Sequence, residues 1–110
     1  MRKSSFVSSV LAVILLAIAV PAAAANRWVK VINESSRDVW YIYGTNAGDT
    51  GWGRDRLGDQ VLHSGYNIKI NFDDGSNACI FDLKAESKYG TSWVKRGINV
   101  CSTETWTLTD

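Results

Sequence analysis

The sequence predicts an all-β domain: a compact antiparallel sandwich or barrel of six to seven short strands, held by one disulfide. Several short runs rich in β-branched and aromatic residues alternate apolar with polar side chains, as strands do. After residue 25 no segment shows a sustained apolar pattern at helical spacing. The chain also has five Trp and only two Cys, Cys79 and Cys101. Such features reinforce a small domain, which buries only roughly 60–65% of its unfolded surface.

The first 25 residues predict a secretory signal peptide. A basic pair, Arg2 and Lys3, precedes the apolar run 6–20, and the segment ends in Ala22–Ala25, a small-residue cleavage site. The apolar stretch is shorter than the roughly 20 residues needed to span a bilayer. We therefore expect a single domain, residues 26–110, in the periplasm or outside the cell, with no membrane span after cleavage. A retained anchor is the alternative.

Three strand patterns occupy the first part of this domain. Arg27–Asn33 and Arg37–Tyr43 are β-branched and aromatic, and Glu34–Ser36 between them has the composition of a tight turn. Tyr66–Phe72 alternates apolar and polar residues without interruption. That alternation predicts a half-buried strand.

The second part of the domain supplies the remaining strands. An Asp-Gly pair in Asp73–Asn77 lies between two strand patterns, which is a hairpin signal. Ala78–Glu86 follows, with Cys79 predicted to point inward and Asp82 on the outer face. After a turn, we expect a strand at Ser92–Arg96, a segment 97–101 leading to the second cysteine, and a last strand within Glu104–Thr109.

The two cysteines are expected to pair. They close a loop of about 23 residues, and a bridge of that length contributes roughly 3 kcal/mol in the chain-entropy model. Together with His63, the only histidine, they cannot supply the four ligands of a structural zinc site. Two cysteines in a chain that carries a secretory signal predict one disulfide, Cys79–Cys101.

The long glycine-rich connection Gly44–Ser64 has a structural interpretation. A compact domain rarely carries so long an irregular segment unless it is functional or forms its own compact structure. Asp55 can accept backbone N–H groups at the start of a short helical turn through Leu57. Trp52 and Leu57 would then dock on the sheet, and glycines such as Gly53 allow the sharp turns this requires.

The same connection also has a functional interpretation. If Trp52 faces inward, then Arg54, Arg56 and Asp59 should face solvent, and the arginines could bind a carboxylate or a phosphate. An exposed Trp52 could instead stack on a sugar or anchor a protein partner. Exposed and adjacent Trp40 and Trp52 would favour a glycan. Buried rings would favour a protein partner that binds through the charged rim.

Several short motifs of the chain occur together in one group of proteins. They are "VINESS", "VWYIY", the W-G-x-D-x-L loop "WGRDRL" at Trp52–Leu57, "VLHSG" at Val61–Gly65 and a late cysteine, Cys101. With these motifs the chain resembles a family of small exported bacterial domains of unknown function, over most of its predicted domain. The resemblance implies a stable fold rather than an activity. It makes Trp, Gly, Asp and Leu the signature positions of the loop and leaves its two arginines in variable slots.

Calcium is a further interpretation of the acidic loops. Candidate oxygen ligands are Asp49, Asp55 and Asp59, or Asp73, Asp74 and Asn77. Neither set has the D-x-D-x-D-G spacing of a calcium loop. We therefore interpret these residues as turn formers and expect no metal and no cofactor.

The sequence offers no convincing catalytic group. His63 and Ser64 are adjacent, so on a strand their side chains would point to opposite faces. Outside the predicted signal peptide, ten basic residues stand against eleven acidic ones, which leaves no basic surplus for nucleic acid. We expect a non-catalytic binding or interaction module for an unknown protein or envelope glycan. The alternative is a small secreted hydrolase, of glycosidase or nuclease type, that uses surface carboxylates or His63.

Overall fold

Six strands form the domain in a computed structural model that describes residues 26–103 and 105–110. The predicted signal peptide lies outside these residues. The described part of the chain is all-β, as predicted, and contains no helix. The strands are β1 (Trp28–Asn33), β2 (Val39–Asn46), β3 (Asn67–Asn71), β4 (Ile80–Ser87), β5 (Ser92–Asn99) and β6 (Thr105–Leu108).

The strands form two three-stranded sheets, which makes the fold a sandwich. The first sheet has the order β3-β1-β6 and the second the order β2-β4-β5. Three of the four strand pairs are antiparallel, as predicted, but β1 and β6 run parallel. Parallel neighbours need a long connection, and here the whole second sheet lies between β1 and β6 in the chain.

Two hairpins suggested by the sequence are not formed. The turn after β1 and the Asp-Gly turn after β3 each carry the chain from one sheet to the other. In the second turn Asp73 Oδ1 accepts the Gly75 N–H at 3.1 Å, and Asp74 Oδ1 accepts the Ser76 N–H at 3.0 Å. These side-chain-closed turns redirect the backbone without setting β3 beside β4. Only the turn between β4 and β5 joins neighbouring strands directly.

The core lies between the sheets and draws on both. Its largest fully buried side chains include Phe72 from the first half of the sandwich and Phe81 and Ile42 from the second. Among the five tryptophans only Trp106 is buried, at 8% exposure. Trp93 is partly buried against this core, and the other three contribute to the surface.

The disulfide Cys79–Cys101 is present, as predicted. It joins the residue before β4 to the turn after β5, at the end of the β4–β5 hairpin that lies opposite its connecting turn. Beside it, the Val100 N–H donates to the Cys79 carbonyl at 2.8 Å. The bridge therefore fastens the end of the hairpin that the chain does not close by itself.

Asp82 is more buried than its predicted place on the outer face implied. The pairing of β4 with β5 shifts register between Phe81 and Leu83, and Gly97 opposite has a φ of 67°. Asp82 is 7% exposed, accepts the Gly97 N–H at 2.9 Å and pairs with the Arg96 guanidinium at 3.1 Å. The carboxylate thus satisfies the irregular backbone that the bulge creates.

Asn33, at the end of β1, is a fully buried polar centre that the sequence analysis did not identify as such. Its Nδ2 donates to the carbonyls of Arg37 and Leu62, at 2.7 and 3.0 Å. Its Oδ1 accepts the N–H and the hydroxyl of Ser35. A single amide thereby fastens β1, the crossing turn and the end of the long loop together.

Candidate binding face

The long loop, residues 47–66, covers the outer edge of β2. β2 is an edge strand of the second sheet, so half of its backbone groups have no strand partner. The Arg56 N–H donates to the Ile42 carbonyl at 2.6 Å, and Val39 exchanges two 2.9 Å hydrogen bonds with Leu62. The loop therefore runs back along β2 and occupies the groups that another chain could otherwise pair with.

Asp55 fixes this return by binding two backbone groups at once. Its Oδ1 accepts the N–H of Ile42 and the N–H of Leu57, both at 2.9 Å. The predicted helical turn is wrong, because the segment forms bends and a turn at Gly58 instead. The predicted acceptance of a backbone N–H is found, and Leu57 is buried at 3% exposure.

Arg56 does not face solvent, which corrects the sequence analysis. Its guanidinium donates to the carbonyls of Asn71 and Gly44, at 3.0 and 3.2 Å, and lies 5.6 Å from the centre of the Phe72 ring. Burial lowers the pKa of Arg56 from its ordinary value, and the positive charge of Arg54 lowers it further. The group still remains charged at neutral pH, and it links the two sheets.

Arg54 and Asp59, the other two predicted binding residues, are exposed. The loop therefore holds Asp55 and Leu57 toward the sheet and keeps only one of its two arginines exposed at the surface.

Trp52 lies on the outer surface of the second sheet. The Lys84 ammonium lies over its ring at 5.5 Å from the centroid, and the Arg96 guanidinium at 5.3 Å. Trp52 belongs to the loop, Lys84 to β4 and Arg96 to β5, so the ring lies against two neighbouring strands of the second sheet. Half-buried, Trp52 extends the surface of the sheet rather than its core.

The outward residues of the second sheet form, with Trp52, a surface that we call the aromatic face. In β4, Lys84 and Glu86 alternate with the buried Leu83, Ala85 and Ser87, so they point away from the core. Their register partners share that side. The aromatic face comprises Tyr41, Tyr43, Trp52, Lys84, Glu86, Val94 and Arg96.

The charged groups of the aromatic face are paired within the protein. Lys84 bonds to Glu86 at 3.1 Å, and Arg96 bonds to Asp82 at the same distance. Burial raises the pKa of the Tyr43 hydroxyl above 10.0, and the charge of Glu86 adds to this effect. Pairing holds the side chains in place, so less conformational entropy is lost when a partner binds.

Trp40 lies apart from Trp52 in a second aromatic group. The Lys88 ammonium is 4.7 Å from the Trp40 ring centre and 5.7 Å from that of Tyr89, which is 85% exposed. Both tryptophans are half-buried, and different lysines lie over them. The structure does not present them as open, adjacent rings.

His63 lies at the surface and pairs with Asp38. Its Nδ1 is 3.1 Å from Asp38 Oδ2, and its side chain is 62% exposed. The Ser64 N–H, together with His63, holds the pKa of Asp38 below 3.8. The Ser64 hydroxyl donates to the Ser35 carbonyl instead of to His63. These contacts describe a turn closed by polar side chains.

The acidic residues considered as calcium ligands act in turns. Thr45 donates to Asp49, and Ser76 donates its hydroxyl to Asp74 and lowers the pKa of that carboxyl. Within residues 26–103 and 105–110, no three His, Cys, Asp or Glu side chains converge on a site that could hold a metal ion.

Comparison with known proteins gives no relative: no protein-family model, no curated protein and no solved structure matches the chain. In the described part of the chain there is also no helix long and apolar enough to cross a membrane.

Proposed function

We propose that this protein is a non-catalytic binding module that docks a protein partner on its aromatic face. The observation that carries the proposal is the position of Trp52, which the loop places across the outer side of the second sheet between Lys84 and Arg96. Trp, Tyr and Arg are the residue types enriched at the energetic centres of protein interfaces. Here they lie together on one sheet.

The exposure of the aromatic face favours a protein over a glycan. Sugar stacking uses an open ring face, whereas cations already lie over the rings of Trp40 and Trp52. Tyr41 and Val94 are 37% and 48% exposed and offer apolar area between paired charges. Apolar anchors inside a polar rim are typical of protein interfaces.

The enzymatic alternative, a small hydrolase, has less support. Asp38 and His63 are exposed at the surface, and the Ser64 hydroxyl is directed to a backbone carbonyl. Asp82 is buried, but its carboxylate is paired with Arg96 and a backbone N–H. A general acid or base must exchange a proton with the substrate, whereas these groups are engaged in contacts within the fold.

Site-specific photo-crosslinking in the producing cells tests the proposal. A photoreactive amino acid at position 94, on the aromatic face, should give one recurrent crosslinked protein. The matched control carries the same group at Asn67, an exposed position on the first sheet. Trp52→Ala should reduce the crosslink from position 94 while the variant stays folded.

Three results would overturn the proposal. They are the absence of any crosslink from position 94, equal crosslinking from both positions, and a crosslink that Trp52→Ala leaves unchanged.

A further inference from the structure

Two lysines lie directly opposite each other on the outer face of the first sheet. Lys30 of β1 and Lys69 of β3 are register partners in the antiparallel pair, and both are exposed. Directly opposite side chains have Cβ atoms about 4.5–5.5 Å apart, and like charges there destabilise the sheet. Within residues 26–103 and 105–110, no carboxylate lies within ion-pair distance of either ammonium.

The lysines lie in a cleft whose other walls are aromatic and hydroxylic. The cleft has a volume of about 520 Å³, and Trp28 forms one wall with 46% of its surface exposed. Thr105 of β6 pairs with Lys30 and continues the row across the sheet. Ser102 and Thr103, from the turn after β5, add further hydroxyl groups.

We propose that this cleft binds an acidic oligosaccharide, with Lys30 and Lys69 pairing with sugar carboxylates and Trp28 stacking on a sugar ring. A bound anion would relieve the repulsion between the two ammonium groups. An indole presents a flat apolar surface together with one N–H donor, which suits the C–H face of a pyranose and its hydroxyls. The Ser and Thr side chains complete a polar lining for hydroxylated rings.

A polysaccharide fits the cleft better than a nucleic acid. Nucleic-acid sites carry a basic surplus along a whole face, whereas the chain as a whole has a net charge of +1. Both positive groups of the row are lysines, which act on an anion as point charges. They lack the guanidinium fork that is favoured in nucleic-acid recognition. One carboxylate per sugar ring matches two neighbouring lysines without a continuous basic stripe.

The cleft lies on the opposite sheet from the aromatic face, so its test is independent of the proposed function. Amide chemical shifts of the ¹⁵N-labelled domain are followed during titration with a galacturonate hexamer. The shifts should concentrate on Trp28, Lys30 and Lys69, and raising the salt concentration should weaken binding. The methyl-esterified hexamer has the same rings without charge and should bind far more weakly.

Charge-removing variants locate the site. Lys30→Gln and Lys69→Gln should each weaken binding by up to about fivefold, the upper limit for an exposed ion pair. Lys95→Gln is the matched control, because Lys95 is exposed on the other sheet. Its affinity should not change. Neither cleft variant should lose thermal stability, since each removes a repulsion.

Four results would overturn the inference. The first two are the absence of shifts at the cleft and equal binding of the esterified hexamer. The third is tighter binding to the cleft by a single-stranded DNA of equal charge than by the hexamer. The fourth is a lower melting temperature of both cleft variants, because it would assign the lysines to the fold.

Discussion

Replacing Asp55 by alanine should destabilise the domain strongly, although the residue lies in an irregular loop. One carboxylate oxygen accepts the N–H of Ile42 on the edge of β2 and the N–H of Leu57 in the loop, each at 2.9 Å. Hydrogen bonds to a charged group contribute about 1.5–3 kcal/mol each. The two share one oxygen of a half-exposed side chain, so we expect a loss of about 2–3 kcal/mol in total.

That loss is large for a domain of this size. A change of 1 kcal/mol shifts the melting temperature by about 4–8 °C in a small domain, so Asp55→Ala should melt roughly 10–20 °C lower. Asp55→Asn keeps an acceptor oxygen without the charge and should fall between the two proteins. Thermal unfolding followed by tryptophan fluorescence, with the disulfide intact, measures both variants.

Asp59→Ala is the matched control, because Asp59 is exposed four residues further along the same loop. A surface substitution of this kind changes stability by less than about 0.5 kcal/mol. If Asp55→Ala melts within about 2 °C of the parent, or if Asp59→Ala melts equally low, the carboxylate does not hold the loop on β2.

Three further changes test other parts of the fold. Gly44→Ala should cost roughly 1–3 kcal/mol, since the new methyl group would overlap the Phe72 ring, whereas the methyl group of Gly51→Ala meets nothing within 4 Å. Urea unfolding compares the two variants. Reducing the disulfide should lower the urea-derived stability by roughly 3 kcal/mol. Two hydrogen bonds from Ser36 hold the pKa of the Asp110 carboxyl below 3.8. Their contribution is complete above that pH and disappears as the pH falls through the lowered value, so Asp110→Asn should show a weaker loss of stability between about pH 5 and about pH 2.

Local patterns in the sequence predict the strands but not their partners. The alternation in Tyr66–Phe72 and the β-branched run before Asn33 mark strands that the structure contains. The Asp-Gly turn, however, signals only that the chain changes direction. Whether the next strand pairs with the last or crosses to the other sheet depends on which faces must be buried together. That condition involves residues far apart in the chain, and no short motif contains it.

Bulges limit the prediction in the same way. Strict alternation places Asp82 on an outer face, and it does point there, but the register shift opposite Gly97 encloses it with Arg96. A bulge adds one residue on one strand and changes which groups need hydrogen bonds. The positive φ of Gly97 is the only local trace of it. The chain has nine glycines, so the sequence alone does not show which of them marks a bulge.

The loop shows why its two arginines could not be told apart from the sequence. Arg54 and Arg56 lie two positions apart, and both were expected to face solvent if Trp52 and Leu57 docked on the sheet. The loop instead bends at Arg54 and Arg56, so Arg54 is exposed while the Arg56 guanidinium reaches the carbonyls of Gly44 and Asn71. Those carbonyls belong to edge strands of different sheets, and a fixed fork of N–H donors can bind both. Because this contact closes the edge of β2, one of the two arginines that were expected to bind a ligand acts in the fold, and Trp52 is left to form the surface.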